Sequence, residues 1–298
     1  MSAAPFPQSV LSAAFSGLSG FAHIGSGSFK AVHRVTTPDG TVEVLKIIRL
    51  PIDTGTPEAK ALLAQELGRA KRETALLADL GTPFVVKLGS LPPSIMDIQG
   101  ASCMAYTEEL LPGADLASVI QNGGKPSESE IKSLLACQVQ AITALWSHRK
   151  TVHRDIKPAN IFATGLPDRP YVLLDLGIAY NVDEPGLTVN PAHIPHTPLY
   201  MAPEMFDPNF RESLSYRADL YAAGITAFEF ATGGIHPLAR PGDSLAKTYT
   251  RVLKQEPARL ATLRPDLSKH LTSLIDQLMK KKPSLRPGNL ALILGQLK

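Results

Sequence analysis

A chain of 298 residues, 44% hydrophobic and 19% charged, has the composition of a globular protein and room for one large domain or two lobes. A net charge of +3 is too small to argue for a nucleic-acid or membrane surface, and the apolar run between Asp219 and Glu229 is too short to span a bilayer. Two cysteines, Cys103 and Cys137, make no disulfide framework, so a reducing, cytoplasmic setting is expected; oligomeric state is left open.

Residues 1–19 carry no basic residue ahead of their apolar part and read as a loosely ordered lead-in rather than a secretory leader. Residues 21–25, 31–36 and 41–48 are β-rich, with a hairpin turn at Pro38-Asp39-Gly40. Between the first two lies Gly25-Ser26-Gly27-Ser28-Phe29-Lys30, whose glycines would let backbone N–H groups approach a phosphate. A helix is predicted over Pro57–Gly81 from Leu62, Leu63, Leu67, Ala70, Leu76 and Leu77 at three-to-four spacing. Further strand is expected around Val85–Leu91 and Ala101–Glu108. After Leu111-Pro112-Gly113 the pattern turns mainly helical, and Ser127 with Glu130 forms a capping box ahead of Ile131, Leu134, Leu135, Ile142 and Leu145. The expected fold class is α+β in two lobes. A small antiparallel-sheet N-lobe with one main helix covers about 20–108, a hinge about 108–112, and a larger mainly helical C-lobe about 113–298.

The chemistry concentrates in Val152-His153-Arg154-Asp155-Ile156-Lys157-Pro158-Ala159-Asn160-Ile161. The plain reading is a solvated polar loop. The alternative is that a carboxylate, an ammonium and an amide converge, as phosphoryl transfer requires: one orients a hydroxyl, one meets the moving charge, one offers oxygen to Mg²⁺. Downstream, the apolar Tyr171–Leu174 ends in Asp175-Leu176-Gly177, a second hard oxygen ligand at a strand end.

These stretches resemble the catalytic loop and metal-binding turn of eukaryotic-type protein kinases, and further motifs follow in order. Val44-Leu45-Lys46 resembles the phosphate-contacting strand lysine. Ala202-Pro203-Glu204, within TPLYMAPE, resembles the end of the activation segment, and Asp219-LYAAG the start of the central helix. Arg286 resembles the arginine that pairs with the glutamate of that segment. The resemblance implies a two-lobed protein-kinase-like fold over residues 20–298 and ATP- and Mg²⁺-dependent transfer to protein hydroxyls, with Mn²⁺ able to replace Mg²⁺. It makes Asp155 the hydroxyl-orienting base, Lys157 a stabiliser of the phosphoryl charge, and Asn160 and Asp175 the metal ligands. Lys46 would hold the phosphates. Its helix partner is Glu73 or Glu66, and counting back from Pro83 selects Glu73. His153, Arg154, Glu204, Asp219 and Arg286 take structural roles, with Asp219 anchoring the hydrophobic residues that link the lobes.

The same resemblance makes Ile24, Gly25, Ser26, Gly27, Ser28 and Phe29 a lid over ATP. Val32 and Val44 would lie above the adenine and Phe162 below it. Glu108, Glu109 and Leu110 would form the hinge contacts, and Asp115 would reach the ribose or a substrate residue. Thr107 or Glu108 guards the back pocket, a choice the sequence leaves open. Lys30, at the third-glycine position, is expected to point to solvent.

Lys157 and Thr197 resemble the serine/threonine branch, so protein substrates with Ser or Thr are expected, with no nucleic-acid partner and no membrane span. Arg154 would meet a phosphate on Thr188 or the acids Asp183 and Glu184. A pseudokinase scaffold, a small-molecule kinase and a dinucleotide-binding oxidoreductase are the competing readings. The last needs a helix after the glycines, where strand is predicted instead.

Overall fold

The computed structural model describes residues 5–26, 30–183, 198–240 and 242–298. It divides into two compact units: one holds the residues up to Asp79 together with Val86–Leu111, the other Leu80–Val85 and the described residues from Pro112 onward.

The first unit is an antiparallel sheet of β1 (Ser19–Ser26), β2 (Lys30–Thr36), β3 (Val42–Arg49), β4 (Ser94–Ile98) and β5 (Ala101–Glu109), ordered β1-β2-β3-β5-β4. The predicted turn joins β2 to β3, with Gly40 at φ +85° and the Asp39 carboxylate accepting the Thr41 N–H at 3.2 Å. Alternation sorts the sheet into two faces. Leu45, Ile47, Val35, Cys103 and Ala105 lie on the face that joins one apolar cluster. Val32, Val44, Lys46, Tyr106 and Glu108 lie on the other, with Val32 opposite Lys46, Lys46 opposite Tyr106 and Val44 opposite Glu108.

From Phe6 onward the lead-in is packed rather than loose. Helix α1 (Gln8–Ala14) follows Pro7, and Phe6, Leu11 and Phe15 are buried in the same cluster as Leu45 and Ile47. A seven-residue helix has too few hydrogen bonds to persist alone, so its burial against the sheet holds it. Helix α2 (Pro57–Asp79) matches its predicted span, but burial is confined to its C-terminal half, at Ala70, Glu73, Thr74, Leu76 and Leu77. Leu62, expected on the apolar face, is exposed.

Val85–Leu91 does not form the expected strand: it makes isolated bridges, Val85 to Leu173 and Leu88 to Glu108, and single backbone hydrogen bonds link Lys87, Gly89 and Leu91 to β5. Gly89 passes so close to Glu43 and Thr107 that a β-carbon would not fit, and Pro92-Pro93 cannot extend a ladder. The strand comes later, as β4. It turns into β5 through Gln99 and Gly100, both at positive φ, a two-residue hairpin lacking the usual Asn-Gly signal. Because β5 continues through Glu108 and Glu109, the non-strand connection begins at Leu110 rather than at Glu108.

The second unit is built on α4 (Glu128–Arg149) and α5 (Arg217–Thr232), joined by α3 (Leu116–Asn122), α6 (Leu245–Lys254), α7 (Leu260–Leu263), α8 (Lys269–Leu278) and α9 (Leu290–Gln296). The predicted capping box opens α4: the Ser127 hydroxyl accepts the Glu130 N–H, and the Glu130 carboxylate accepts the Ser127 N–H. Helix α5 is buried almost all round. A β-carbon on Gly224 would come within 2.8 Å of Leu278 Cβ, so glycine lets α5 and α8 close up. Two small sheets frame the polar loop: β6 (Ala114–Asp115), β8 (Ile161–Ala163) and β9 (Tyr171–Leu173), and separately β7 (Thr151–Val152) with β10 (Tyr180–Asn181). Gly113, at φ +100°, packs on the Ala163 carbonyl where any side chain would collide.

Candidate active site

In the second unit, the loop after β7 gathers the predicted residues around Asp155. Lys157 Nζ is 2.7 Å from Asp155 Oδ2, and Asn160 Nδ2 donates to the same oxygen at 2.8 Å and to the Asp155 carbonyl at 2.9 Å. One carboxylate oxygen thus accepts two bonds, which fixes the carboxylate plane. Pro158–Asn160 makes a single 3₁₀ turn that brings the amide back over Asp155.

The backbone there is strained and held. Arg154 sits at φ +69°, a region side chains disfavour, and Asp219 secures it by accepting the His153 N–H at 2.7 Å and the Arg154 N–H at 2.9 Å. Asp219 is 1% exposed, and burial pushes its carboxyl above the usual range while His153 and the two N–H bonds oppose that push. The His153 ring accepts the Asp155 N–H at Nδ1 (3.2 Å) and reaches the Leu174 carbonyl from Nε2 (3.1 Å), which fits the Nε2–H tautomer. Asp175 likewise has φ +57°, and its Oδ1 accepts the Gly177 N–H at 3.1 Å.

Arg154 donates through Nε to the Ile178 carbonyl at 2.7 Å and lies over the Tyr180 ring at 5.2 Å. Glu204 and Arg286 form the expected pair, with two bonds of 2.5 and 2.7 Å. Asp115 caps α3, its Oδ1 accepting the Ser118 N–H at 2.9 Å; Phe162 lies on β8 opposite Val172.

In the first unit, Lys46 meets two carboxylates. Glu73 is one, at 3.8 Å, as the count from Pro83 selects; Glu66 instead pairs with Arg69 at 2.8 Å. The nearer partner is Glu108, at 2.5 Å, which the sequence places in the hinge. Lys30 is not directed to solvent: its Nζ is 3.5 Å from Glu73, with the side chain 20% exposed. Strand register decides both. Lys30, Val32, Lys46 and Glu108 share a face, and no local sequence signal reports which face a strand buried on both sides presents. Glu109 accepts the Lys87 N–H at 2.9 Å, Leu110 is exposed, and Ile24, Gly25 and Ser26 end β1. Gly27, Ser28, Phe29, Glu184, Thr188 and Thr197 lie outside the described residues.

Among the described residues no group of three or more His, Cys, Asp or Glu side chains is placed to hold a metal. The Asp175 carboxylate and the Asn160 amide carry oxygens of the hard type that Mg²⁺-like cations take. No helix among the described residues is long and apolar enough to cross a membrane.

The family model for the protein kinase domain matches residues 19–295. The chain is 33% identical over 225 residues to the serine/threonine-protein kinase PkaA of Streptomyces coelicolor, an alignment covering 74% of this chain and 37% of that protein. It is 28% identical over 269 residues to the serine/threonine-protein kinase ppk11 of Schizosaccharomyces pombe, covering 88% of this chain and 75% of the relative. A third relative, the serine/threonine-protein kinase pkn3 of Myxococcus xanthus, is 27% identical over 279 residues, which is 89% of this chain and 46% of that protein. The chain therefore spans less than half the length of two of these three relatives. With the match running over residues 19–295 and the paired residues of the loop, strand and activation-segment motifs in place, the chain belongs to the protein kinase domain family.

Proposed function

We propose that the chain transfers the γ-phosphate of ATP to serine or threonine hydroxyls of protein substrates. The observation that supports this most directly is the convergence of Lys157 and Asn160 on one oxygen of Asp155. That leaves Asp155 oriented to accept a hydroxyl proton, with Lys157 beside it to meet charge on the transferred group. Protein kinases use ATP and a divalent metal; here the metal is taken as Mg²⁺, with Asn160 and Asp175 as its protein ligands. Held by those two side chains, it would supply positive charge against the phosphates. Lys46 would hold the nucleotide phosphates. Ile24, Gly25, Ser26, Gly27, Ser28, Phe29, Val32, Val44, Glu109, Leu110, Asp115 and Phe162 would bound the nucleotide. Thr197 would support the acceptor hydroxyl, and Thr188 is the candidate phosphosite for Arg154. A cytoplasmic location accords with two buried free cysteines.

The test is incubation with γ-labelled ATP and Mg²⁺, with and without a generic protein substrate, alongside Asp155→Asn and Asp175→Ala. Label in wild type, reduced by at least about a hundredfold in both variants, is expected for loss of a base or a metal ligand. Equal labelling in all three, or none in wild type, contradicts the proposal.

A further inference from the structure

Four charged side chains meet on one face of the first unit: Lys30 from β2, Lys46 from β3, Glu73 from α2 and Glu108 from β5. Lys46 Nζ is 2.5 Å from Glu108 Oε1 and 3.8 Å from Glu73 Oε1, and Lys30 Nζ is 3.5 Å from that same Glu73 oxygen. Glu108 is 3% exposed and Glu73 1%. The Tyr106 ring flanks Lys46, with Nζ 5.9 Å from its centroid. Glu109, next along β5, pairs across with Glu43 and so belongs to the opposite face.

Two cations and two anions balance formally, yet the balance is uneven in space. The shortest contact binds Lys46 to Glu108, while its contact with Glu73 exceeds hydrogen-bond distance. If Lys46 holds nucleotide phosphates, as proposed above, its ammonium must share or surrender the Glu108 contact. A carboxylate stripped of its closest cation at that depth is costly to keep ionised.

We propose that Glu108 is an exchangeable counter-ion of Lys46: nucleotide phosphates take the ammonium, and Glu108 then binds a proton from solvent. No covalent bond changes, and one proton is taken up per exchange. The surroundings favour this outcome. Burial already raises the Glu108 carboxyl above the ordinary range and the Glu73 carboxylate raises it further, against Lys46 and, less strongly, Lys30. Weakening the Lys46 contact moves it higher still. The sign follows: the phosphate-bound state carries more protons, so nucleotide affinity falls as pH rises between the Glu108 values of the two states.

The experiment is titration calorimetry of the full chain with MgADP near neutral pH, in buffers of different ionisation enthalpy, on wild type and Glu108→Gln. Protonation of the nucleotide itself is common to both proteins. Wild type should take up more protons than Glu108→Gln, by up to one per site, and its Kd should rise with pH by up to about tenfold per unit more steeply. Adenosine, which has no phosphates, should bind wild type without that uptake, an arm that does not depend on the variant folding. Equal uptake in both proteins, or the same uptake with adenosine as with MgADP, overturns the counter-ion exchange. If folded wild type binds no MgADP at all, both the exchange and the nucleotide site fail; binding without the extra proton overturns the exchange alone.

Discussion

Arg286 grips Glu204 with two nitrogens, at 2.5 and 2.7 Å, while its side chain is wholly buried. Its other bonds go to the carbonyls of Lys280, Arg217 and Lys281, and its guanidinium lies 4.9 Å from the Tyr221 ring centre. Removing the arginine strands a carboxylate and three carbonyls together. Arg286→Ala should cost roughly 3–5 kcal/mol, read from the urea midpoint at unchanged slope. Arg286→Lys should recover little of that, because an ammonium cannot reproduce the planar fork.

Asp219 acts on the site through the backbone it holds rather than through any reacting atom. Asp219→Asn keeps the size but turns one acceptor into a donor facing the His153 or Arg154 N–H. The turn at Arg154 should then relax and shift Asp155. A fall in kcat of about tenfold to a hundredfold, with the KM for ATP little changed, is the expected split, since misplacement of about 1 Å costs on that order.

Stability should fall in mild acid because of His236. Its Nδ1 accepts the N–H groups of Leu238 (3.1 Å) and Ala239 (2.9 Å), so it has no room for a proton there, while Nε2 lies 3.1 Å from the Leu199 carbonyl. Burial lowers this histidine from 6.5 to about 4. The unfolded chain binds the proton first, so the contribution is complete above 6.5 and is lost as pH falls toward 4. Over that window the loss should be roughly 3 kcal/mol. It should be much smaller in His236→Gln, as measured by denaturant unfolding at stepped pH.

The lead-in helix should matter for stability although it precedes the matched domain. Leu11 is 1% exposed and sits with Phe6 and Phe15 against Leu45 and Ile47. Leu11→Ala should cost about 2–5 kcal/mol, as other buried leucine truncations do. A thermal shift within the range of surface substitutions would show that α1 is not part of the core.

Much of this site is written locally. Asp155, Lys157 and Asn160 fall within one short loop, so their spacing alone brings them together. Glu204 and Arg286 are far apart in sequence and come from the family pattern rather than from spacing. What escaped was set by register and tertiary burial. Nothing near Glu108 says that it faces Lys46, because six consecutive residues of β5 are buried and no alternation marks a face. Lys30 looked solvent-bound because a lysine beside loop glycines usually finds water, whereas it opens β2 with its side chain toward Glu73. The proline-flanked segment before β1 carried no strong helix signal, since Phe6, Leu11 and Phe15 acquire a face only when the sheet supplies the other half. The leucines of α2 gave the helix correctly but overstated its burial, because periodicity shows a stripe and not what covers it.

Phosphoamino-acid analysis tests the central claim most directly: a protein substrate is labelled with γ-labelled ATP and Mg²⁺, then hydrolysed, with Asp155→Asn run in parallel. Label recovered as phosphoserine or phosphothreonine with wild type and lost with the variant is the predicted result. Label on tyrosine alone, label that survives Asp155→Asn undiminished, or no label in any protein substrate would contradict it.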